Sequence, residues 1–421
     1  MNIAIFTDTY FPQVSGVATS IQTLKETFED NGHQVYIFTT SDPKAEYEDH
    51  VFRYESVPFL FFKDRRVAIP SFASIYRKCK DLNIDVVHTQ TEFSMGLMGV
   101  SVARYMRIPL IHTYHTWYEK YLHYILNGKL ISRKTVVHLS KLFCDQADLV
   151  ISPSQQMKEV LRDYNIQKPI HVLATGVKLP KQIEQETLIA FRQKWGINED
   201  DYLLLSINRI AEEKNLIAII EQFPQVLADI PNAKLLLAGD GPQLPELKNL
   251  TAEMNLTDKI IFTRFIAHDQ VNVLYQTADV YVNLSTSETQ GLTFIEAITN
   301  HLPVIAMKTP YLASLKEIAS FGHLLTEVTD FPHALLDIAQ AQEAYAEGLT
   351  PLIYHVSADA FYEDLYQIYQ YMIELQSKKP RNLIGRSVYL SSTFADLHKP
   401  LKWTSKYFPS FYMRRKDDDL D

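Results

Sequence analysis

Short uninterrupted apolar runs recur along this chain, separated by stretches that are apolar only at every third or fourth position. In the first half the runs fall at residues 3–6, 35–38, 86–88, 110–113, 149–152 and 170–173. Runs of this length without alternation predict strands buried on both faces, as in a parallel sheet. Between the first two, Val17, Ile21, Leu24 and Phe28 form a helical stripe that stops at Asn31-Gly32, a helix-ending pair. The second half repeats the theme with runs at 203–207, 235–238, 260–262, 280–284 and 304–306. Alternating strands and helices predict a parallel sheet covered by helices on both faces, here twice over. Pro180 and its polar neighbours interrupt the pattern over 176–185. The expected organisation is therefore an α/β chain of two Rossmann-like domains, 1–178 and 179–355, facing across a cleft. Beyond them lie a helical stripe at 356–377 (Phe361, Leu365, Ile368, Tyr369, Met372) and a segment at 378–421. Ligands of such domains bind at the carboxyl ends of the strands.

The most telling stretch follows the run at 280–284. Ser287-Glu288-Thr289-Gln290-Gly291-Leu292-Thr293-Phe294-Ile295-Glu296-Ala297 holds two carboxylates with seven residues between them and a glycine where a strand hands over to a helix. The backbone N–H groups of residues 290–293 would sit at a helix N-terminus, a natural seat for phosphate. Glu288 would project from the loop and Glu296 from the first turns of the helix. Two acids flanking an anion site suit a nucleotide-sugar, one accepting from ribose hydroxyls and the other from sugar hydroxyls. The plain alternative is a solvated helix start carrying acids.

Other strand ends carry further candidates. Arg209 and Lys214 straddle the turn after the run at 203–207; two fixed cations there would stabilise a leaving diphosphate, or would simply pair with Glu212 or Glu213. Gly239-Asp240-Gly241-Pro242 reads as a tight turn that could admit a nucleotide, with Asp240 alternatively a helix cap. In the first half, Gly16 and Val17 open the first helix, where glycine lets backbone approach a ligand. The loop is not GxGxxG, and no acid closes the second strand, which argues against a dinucleotide. His115 lies just past the carboxyl end of its strand and can donate to a sugar hydroxyl, whereas His112 within the strand reads as packing. Glu92 could accept a hydrogen bond from an acceptor molecule or cap the next helix.

Composition adds one surprise. Hydrophobic content of 46% and charged content of 22% are ordinary for a globular protein. No apolar run is long enough to span a bilayer, and the first residues read as a strand rather than a signal peptide. Cys79 and Cys144 are the only cysteines, in keeping with a reducing cytoplasm. No Cys/His cluster has metal-ligand spacing. The net charge is −9, yet residues 378–416 hold ten cations, among them Lys399, Lys402, Lys406, Arg414 and Arg415, against the single acid Asp396. These cations are interleaved with aromatics such as Trp403, a pattern expected to lie in an anionic headgroup layer rather than on nucleic acid. Lys120, Arg133 and Lys134 mark a second basic-aromatic stretch that could dock the first domain on the same surface.

Taken in order, Arg209…Lys214, Gly239-Asp240-Gly241-Pro242 and Glu288-x7-Glu296, with the Gly16 loop and His115, resemble the retaining GT-B glycosyltransferases of family 4. Phe6-Thr7-Asp8-Thr9-Tyr10-Phe11-Pro12-Gln13, His88-Thr89-Gln90-Thr91-Glu92-Phe93, His112-Thr113-Tyr114-His115-Thr116 and Ser285-Thr286-Ser287-Glu288-Thr289-Gln290-Gly291 resemble more narrowly the bacterial 1,2-diacylglycerol 3-glucosyltransferases. The resemblance implies transfer of glucose from UDP-glucose to diacylglycerol at the inner membrane face, with the α configuration kept. Glu288 would hold the donor glucose, Glu296 the ribose, and Arg209 and Lys214 the diphosphate, with His115 beside the transferred sugar. It also implies that 1–178 takes the acceptor, that 179–355 takes the donor, and that the 356–377 helix crosses back to the first domain. No cofactor is expected; magnesium could accompany the nucleotide, but the sequence shows no site for it. Expected partners are a UDP-sugar, diacylglycerol and an anionic membrane, with protein partners left open. Other readings are another donor or acceptor, such as UDP-galactose or a soluble sugar, and a non-catalytic membrane-binding subunit. Two departures stand out: the family usually has glycine at the positions of Arg264 and His301, so an altered backbone or pocket wall is expected there.

Overall fold

The computed structural model of the 421-residue chain describes residues 1–13, 15–59, 62–120, 132–264, 266, 270–285 and 287–378. Two parallel sheets organise them. The first runs β3-β2-β1-β6-β7-β8-β9, made of β1 (Asn2–Phe6), β2 (Gln34–Thr40), β3 (Val51–Tyr54), β6 (Val86–Thr89), β7 (Leu110–Thr113), β8 (Leu149–Ser152) and β9 (Ile170–Val172). Between β3 and β6 an antiparallel hairpin of β4 (Ser56–Phe59) and β5 (Phe62–Ala68) stands apart. The second sheet runs β12-β11-β10-β13-β14-β15, from β10 (Tyr202–Ile207), β11 (Ala233–Ala238), β12 (Ile260–Arg264), β13 (Val280–Asn283), β14 (Val304–Met307) and β15 (Gly322–Leu325). Each order reverses direction once, between β1 and β6 and between β10 and β13. Such switch points open a crevice at the carboxyl ends of the strands.

The apolar runs become strands because both their faces are covered. Ile3 and Ile5 face one cluster with Ile21, Leu24 and Phe28 of the Gly16–Asp30 helix, while Ala4 and Phe6 face the opposite cluster with Val100 and Ala103 of the Ser94–Met106 helix. The second sheet is likewise packed on both sides, with Leu204 and Leu235 on one and Leu205 and Leu236 on the other.

The expected return of the last helix is what the fold shows. Helix Ala358–Ser377 sets Phe361, Leu365, Tyr369 and Met372 among the first-sheet residues Ile3, Ile5 and Val35 and the first helix. Its docking is also polar, because the Tyr369 hydroxyl lies 2.6 Å from His88 Nδ1, whose Nε2 lies 2.7 Å from Thr113 Oγ1. Where the chain passes between halves, its two crossings run side by side. Val177 N–H donates to Val356 O at 3.0 Å and Ala358 N–H to Val177 O at 2.9 Å. Gly176 is required there, since a Cβ would sit 2.0 Å from Ser357 O. Among the described residues no helix is long and apolar enough to cross a membrane.

Candidate functional site

The turns at the carboxyl ends of β10, β11 and β13 interlock. Asn208 N–H donates to Ala238 O and Ile210 N–H to Asp240 O, both at 3.0 Å. Backbone contact this close needs glycine opposite: a Cβ on Gly239 would fall 1.8 Å from Asn208 O, and on Gly241 2.1 Å from Ile210 O. Asn283, at the end of β13, donates to Asn208 Oδ1 at 3.1 Å and accepts from Ser285 N–H at 3.0 Å. Ser285 Oγ in turn donates to Glu213 O at 3.0 Å. These bonds bring the loop after β13 against the turn carrying Lys214, and the Lys214 ammonium donates to Glu288 Oε1. That contact joins residues 74 positions apart in sequence. Both side chains are largely covered, at 15% and 16% exposure. Arg209 is exposed, two residues past the end of β10.

Gly291, with φ +80°, turns the loop into helix Leu292–Thr299. Phe294, Ile295 and Ile298 bury one face of that helix, leaving Glu296 on the other. Tyr275, from helix Val271–Thr277, donates its hydroxyl to Glu296 Oε2 at 2.8 Å. Burial, reinforced by the Glu296 charge, holds that phenol well above its ordinary pKa, so it remains a donor. That bond ties the Glu296 carboxylate to the Val271–Thr277 helix.

The first half meets this loop from across the cleft. Gly16 opens its helix, whose Ser15 cap accepts from Ala18 N–H at 3.2 Å, and a Cβ on Gly16 would lie 4.0 Å from Leu292. Val17 packs part-buried beside it. Thr289 Oγ1 donates to the His115 carbonyl at 3.1 Å, and His115 Nε2 lies 2.6 Å from Gln90 Oε1. Burial first, then the neighbouring His112, pushes His115 down to about 3. The ring is neutral, so donation from Nε2 to Gln90 leaves Nδ1 as an acceptor. The structure thus gathers Gly16, His115, Glu288, Gln290 and Leu292 at one opening, with Arg209, Lys214, Gly239, Gly241 and Glu296 on the wall of the second half.

Three assignments change. Glu92 does not cap the next helix; buried Asp8 does, accepting from Met95 N–H at 3.0 Å and from the Thr91 and Ser94 hydroxyls. Glu92 instead accepts from the Tyr118 hydroxyl, with His112 Nε2 3.4 Å away. His112 is thus more than packing, since its Nδ1 also lies 3.0 Å from Thr89 O. Arg264 and His301, with φ +58° and +56°, keep the left-handed backbone that glycine would take, so the chain path is unchanged. Arg264 extends from the end of β12 to Asp240 Oδ2 at 3.3 Å. In the stretch after β7 and the start of the Arg133–Cys144 helix, Lys120 covers Trp117 at 5.0 Å, Arg133 pairs with Glu119 at 2.9 Å, and Lys134 is exposed. The tail residues Lys399, Lys402, Trp403, Lys406, Arg414 and Arg415 lie outside the described residues. Among the described residues no three His, Cys, Asp or Glu side chains group as metal ligands would.

Two facing α/β layers with an acid-bearing helix N-terminus between them define a glycosyltransferase of the GT-B class. Residues 14–180 match the family described as Glycosyltransferase Family 4 and residues 189–324 the family described as Glycosyl transferases group 1. The alpha-monoglucosyldiacylglycerol synthase of Streptococcus pneumoniae is 43% identical over 88% of this chain and 85% of its own length. The Acholeplasma laidlawii protein of the same name is 32% identical over 82% and 89%. The Anabaena HepE structure in complex with UDP superposes with a TM-score of 0.69 at 16% identity, over 88% of this chain and 100% of that one. The chain belongs to glycosyltransferase family 4, in the group of the bacterial monoglucosyldiacylglycerol synthases.

The two buried histidines carry a pH prediction. His88, held well below the ordinary range chiefly by burial, and His115, at about 3, are neutral when folded but protonate near pH ~6.5 when unfolded. The unfolded chain binds more protons between these values, so stability is complete above about pH 6.5 and declines as the pH falls toward 3. Thermal melts in this acid range should show a falling Tm, with a shallower fall in His115→Gln. A Tm slope unchanged by that substitution refutes the assignment.

Proposed function

We propose that this protein moves glucose from UDP-glucose to the 3-hydroxyl of 1,2-diacylglycerol, with retention, making α-monoglucosyldiacylglycerol on the inner face of the cell membrane. The reading is supported by the names of the two relatives and by one observation above all: Lys214 and Glu288 in contact at the mouth of the acid helix. Cation and carboxylate side by side suit a ligand that offers a phosphate oxygen and a sugar hydroxyl a few ångströms apart. Glu296 on the same helix would take the ribose.

The lipid hydroxyl would attack the anomeric carbon from the face that the diphosphate leaves. The carbon–phosphate-oxygen bond breaks with its electron pair on UDP, the new glycosidic bond forms, and the hydroxyl proton passes to a departing phosphate oxygen. Arg209 and Lys214 would stabilise the charge that gathers on the diphosphate, and the two halves would hold donor and acceptor side by side on that face. In this reading the two cations meet the need for positive charge, and the chemistry needs no obligatory bound metal.

UDP release from purified protein with UDP-glucose and diacylglycerol micelles tests the proposal. Release that requires both substrates, with a glucolipid whose glucose stays on the glycerol after alkali removes the acyl chains, is the expected result. No release above the acceptor-free blank would overturn it, and preference for UDP-galactose or a soluble sugar would reassign the substrate. For the membrane part, truncation after Gln376 should reduce binding to anionic vesicles, each Lys or Arg near such a surface contributing about 1 kcal/mol, and leave UDP binding intact. Vesicle binding indifferent to salt and to anionic lipid would sink that part.

A further inference from the structure

The side chain of Gln290 is engaged where the two halves of the chain join. Its Oε1 accepts from Thr175 N–H at 2.9 Å and its Nε2 donates to Thr175 O at 2.7 Å. A side-chain amide here pairs with a backbone unit as one peptide group pairs with another, and both residues are 6% exposed. Nε2 also lies 3.5 Å from the Tyr311 hydroxyl. Thr175 lies two residues before the paired crossings at Val177 and Ser357, and its Oγ1 lies 2.7 Å from Ser20 Oγ on the Gly16–Asp30 helix. On the other side, Gln290 follows Thr289, which holds the His115 carbonyl, and Glu288, which holds Lys214. Three consecutive residues thus join the wall of the second half, the sugar side of the first half and the hinge.

We propose that Gln290 is a positioning residue for the transfer: its amide locks the acid loop to the hinge, so that closing the two halves carries Glu288 to a fixed place opposite His115. The demand is specific to glutamine. Thr175 presents one donor and one acceptor in a buried place, and each left unmade would cost more than the bond contributes when made. Glutamate offers two acceptors to that pair, and leucine offers nothing. The nucleotide contacts expected of this loop come from backbone N–H groups and from Glu296, so the side chain can be changed without removing them.

This inference rests on the transferase reading, and wild-type activity measured in the same assay separates the two: no transfer by wild type refutes the function, whereas equal transfer by wild type and variants refutes Gln290 alone. In Gln290→Leu, kcat should fall about tenfold or more, while the UDP dissociation constant changes by less than about threefold. Gln290→Glu supplies the reading that a packing role would not move. Ionised, it should be as slow as the leucine variant; on acidification toward pH ~5.5 the protonated carboxyl can donate to Thr175 O, and the ratio of variant to wild-type kcat should rise severalfold. A ratio that stays flat with pH, or a leucine variant with normal kcat, overturns the proposal. Should the leucine variant fail to fold, the glutamate profile decides.

Discussion

Replacing Arg209 or Lys214 with alanine is expected to lower turnover about 100-fold or more, the effect of removing a fixed donor from a site of developing negative charge. Arg209 stands exposed at the end of β10 and Lys214 lies at the cleft with its ammonium on Glu288. A diphosphate gains charge as the glycosidic bond breaks, so cations set beside it count for more in the transition state than in the ground state. The loss should therefore fall mainly on kcat, with a smaller change in KM for the donor. Lysine at 209 should restore less than half of the lost activation free energy, because an ammonium is a point charge where a guanidinium offers a planar fork. Near-normal kcat in both alanine variants would return the two cations to a role in holding the loop.

The two acids should separate by assay. Glu296→Gln is expected to weaken UDP binding by roughly 1.5–3 kcal/mol, the worth of a charge-assisted hydrogen bond, or about tenfold to more than a hundredfold in dissociation constant. Tyr275→Phe, which removes the hydroxyl 2.8 Å from Glu296, should reproduce part of that loss. Glu288→Gln should leave UDP affinity close to wild type and slow transfer, since the sugar end of the donor is absent from UDP. Calorimetric titration with UDP, set beside kcat measured with saturating donor, distinguishes these outcomes. Unchanged UDP affinity in the first variant and unchanged turnover in the second would remove both roles.

What the sequence disclosed divides along a physical line. Strands buried on both faces are legible because the chain must be apolar without alternation there, as at Ile3 to Phe6 or Leu203 to Ile207. Val51–Tyr54 escaped because it is an edge strand, only half buried and carrying Arg53. Gly322–Leu325, the edge of the second sheet, is short and holds His323. The hairpin before Ala68 has no glycine at its turn to announce it. In the site, residues whose role follows from type and local spacing, Glu288, Glu296 and the glycine turns, could be picked out directly. Asp8, Gln90 and Tyr275 could not, because each acts through a partner 21 to 87 residues away. A helix cap is sought immediately before its helix, and the one on the Ser94–Met106 helix comes from the end of another strand. For Gln290 the sequence pointed to the right loop but to its backbone, while its side chain is bonded to Thr175 in the linker.

The return of the last helix also fixes an order of events on the ribosome. The first sheet is complete in sequence at Val172, yet the helix that covers Ile21, Leu24 and Phe28 begins only at Ala358. At translation speeds of about 5–20 residues per second, that apolar face waits roughly ten to forty seconds for its cover. Throughout that interval the nascent first half presents the kind of surface that chaperones bind, and its final shape is set by the part of the protein made after it.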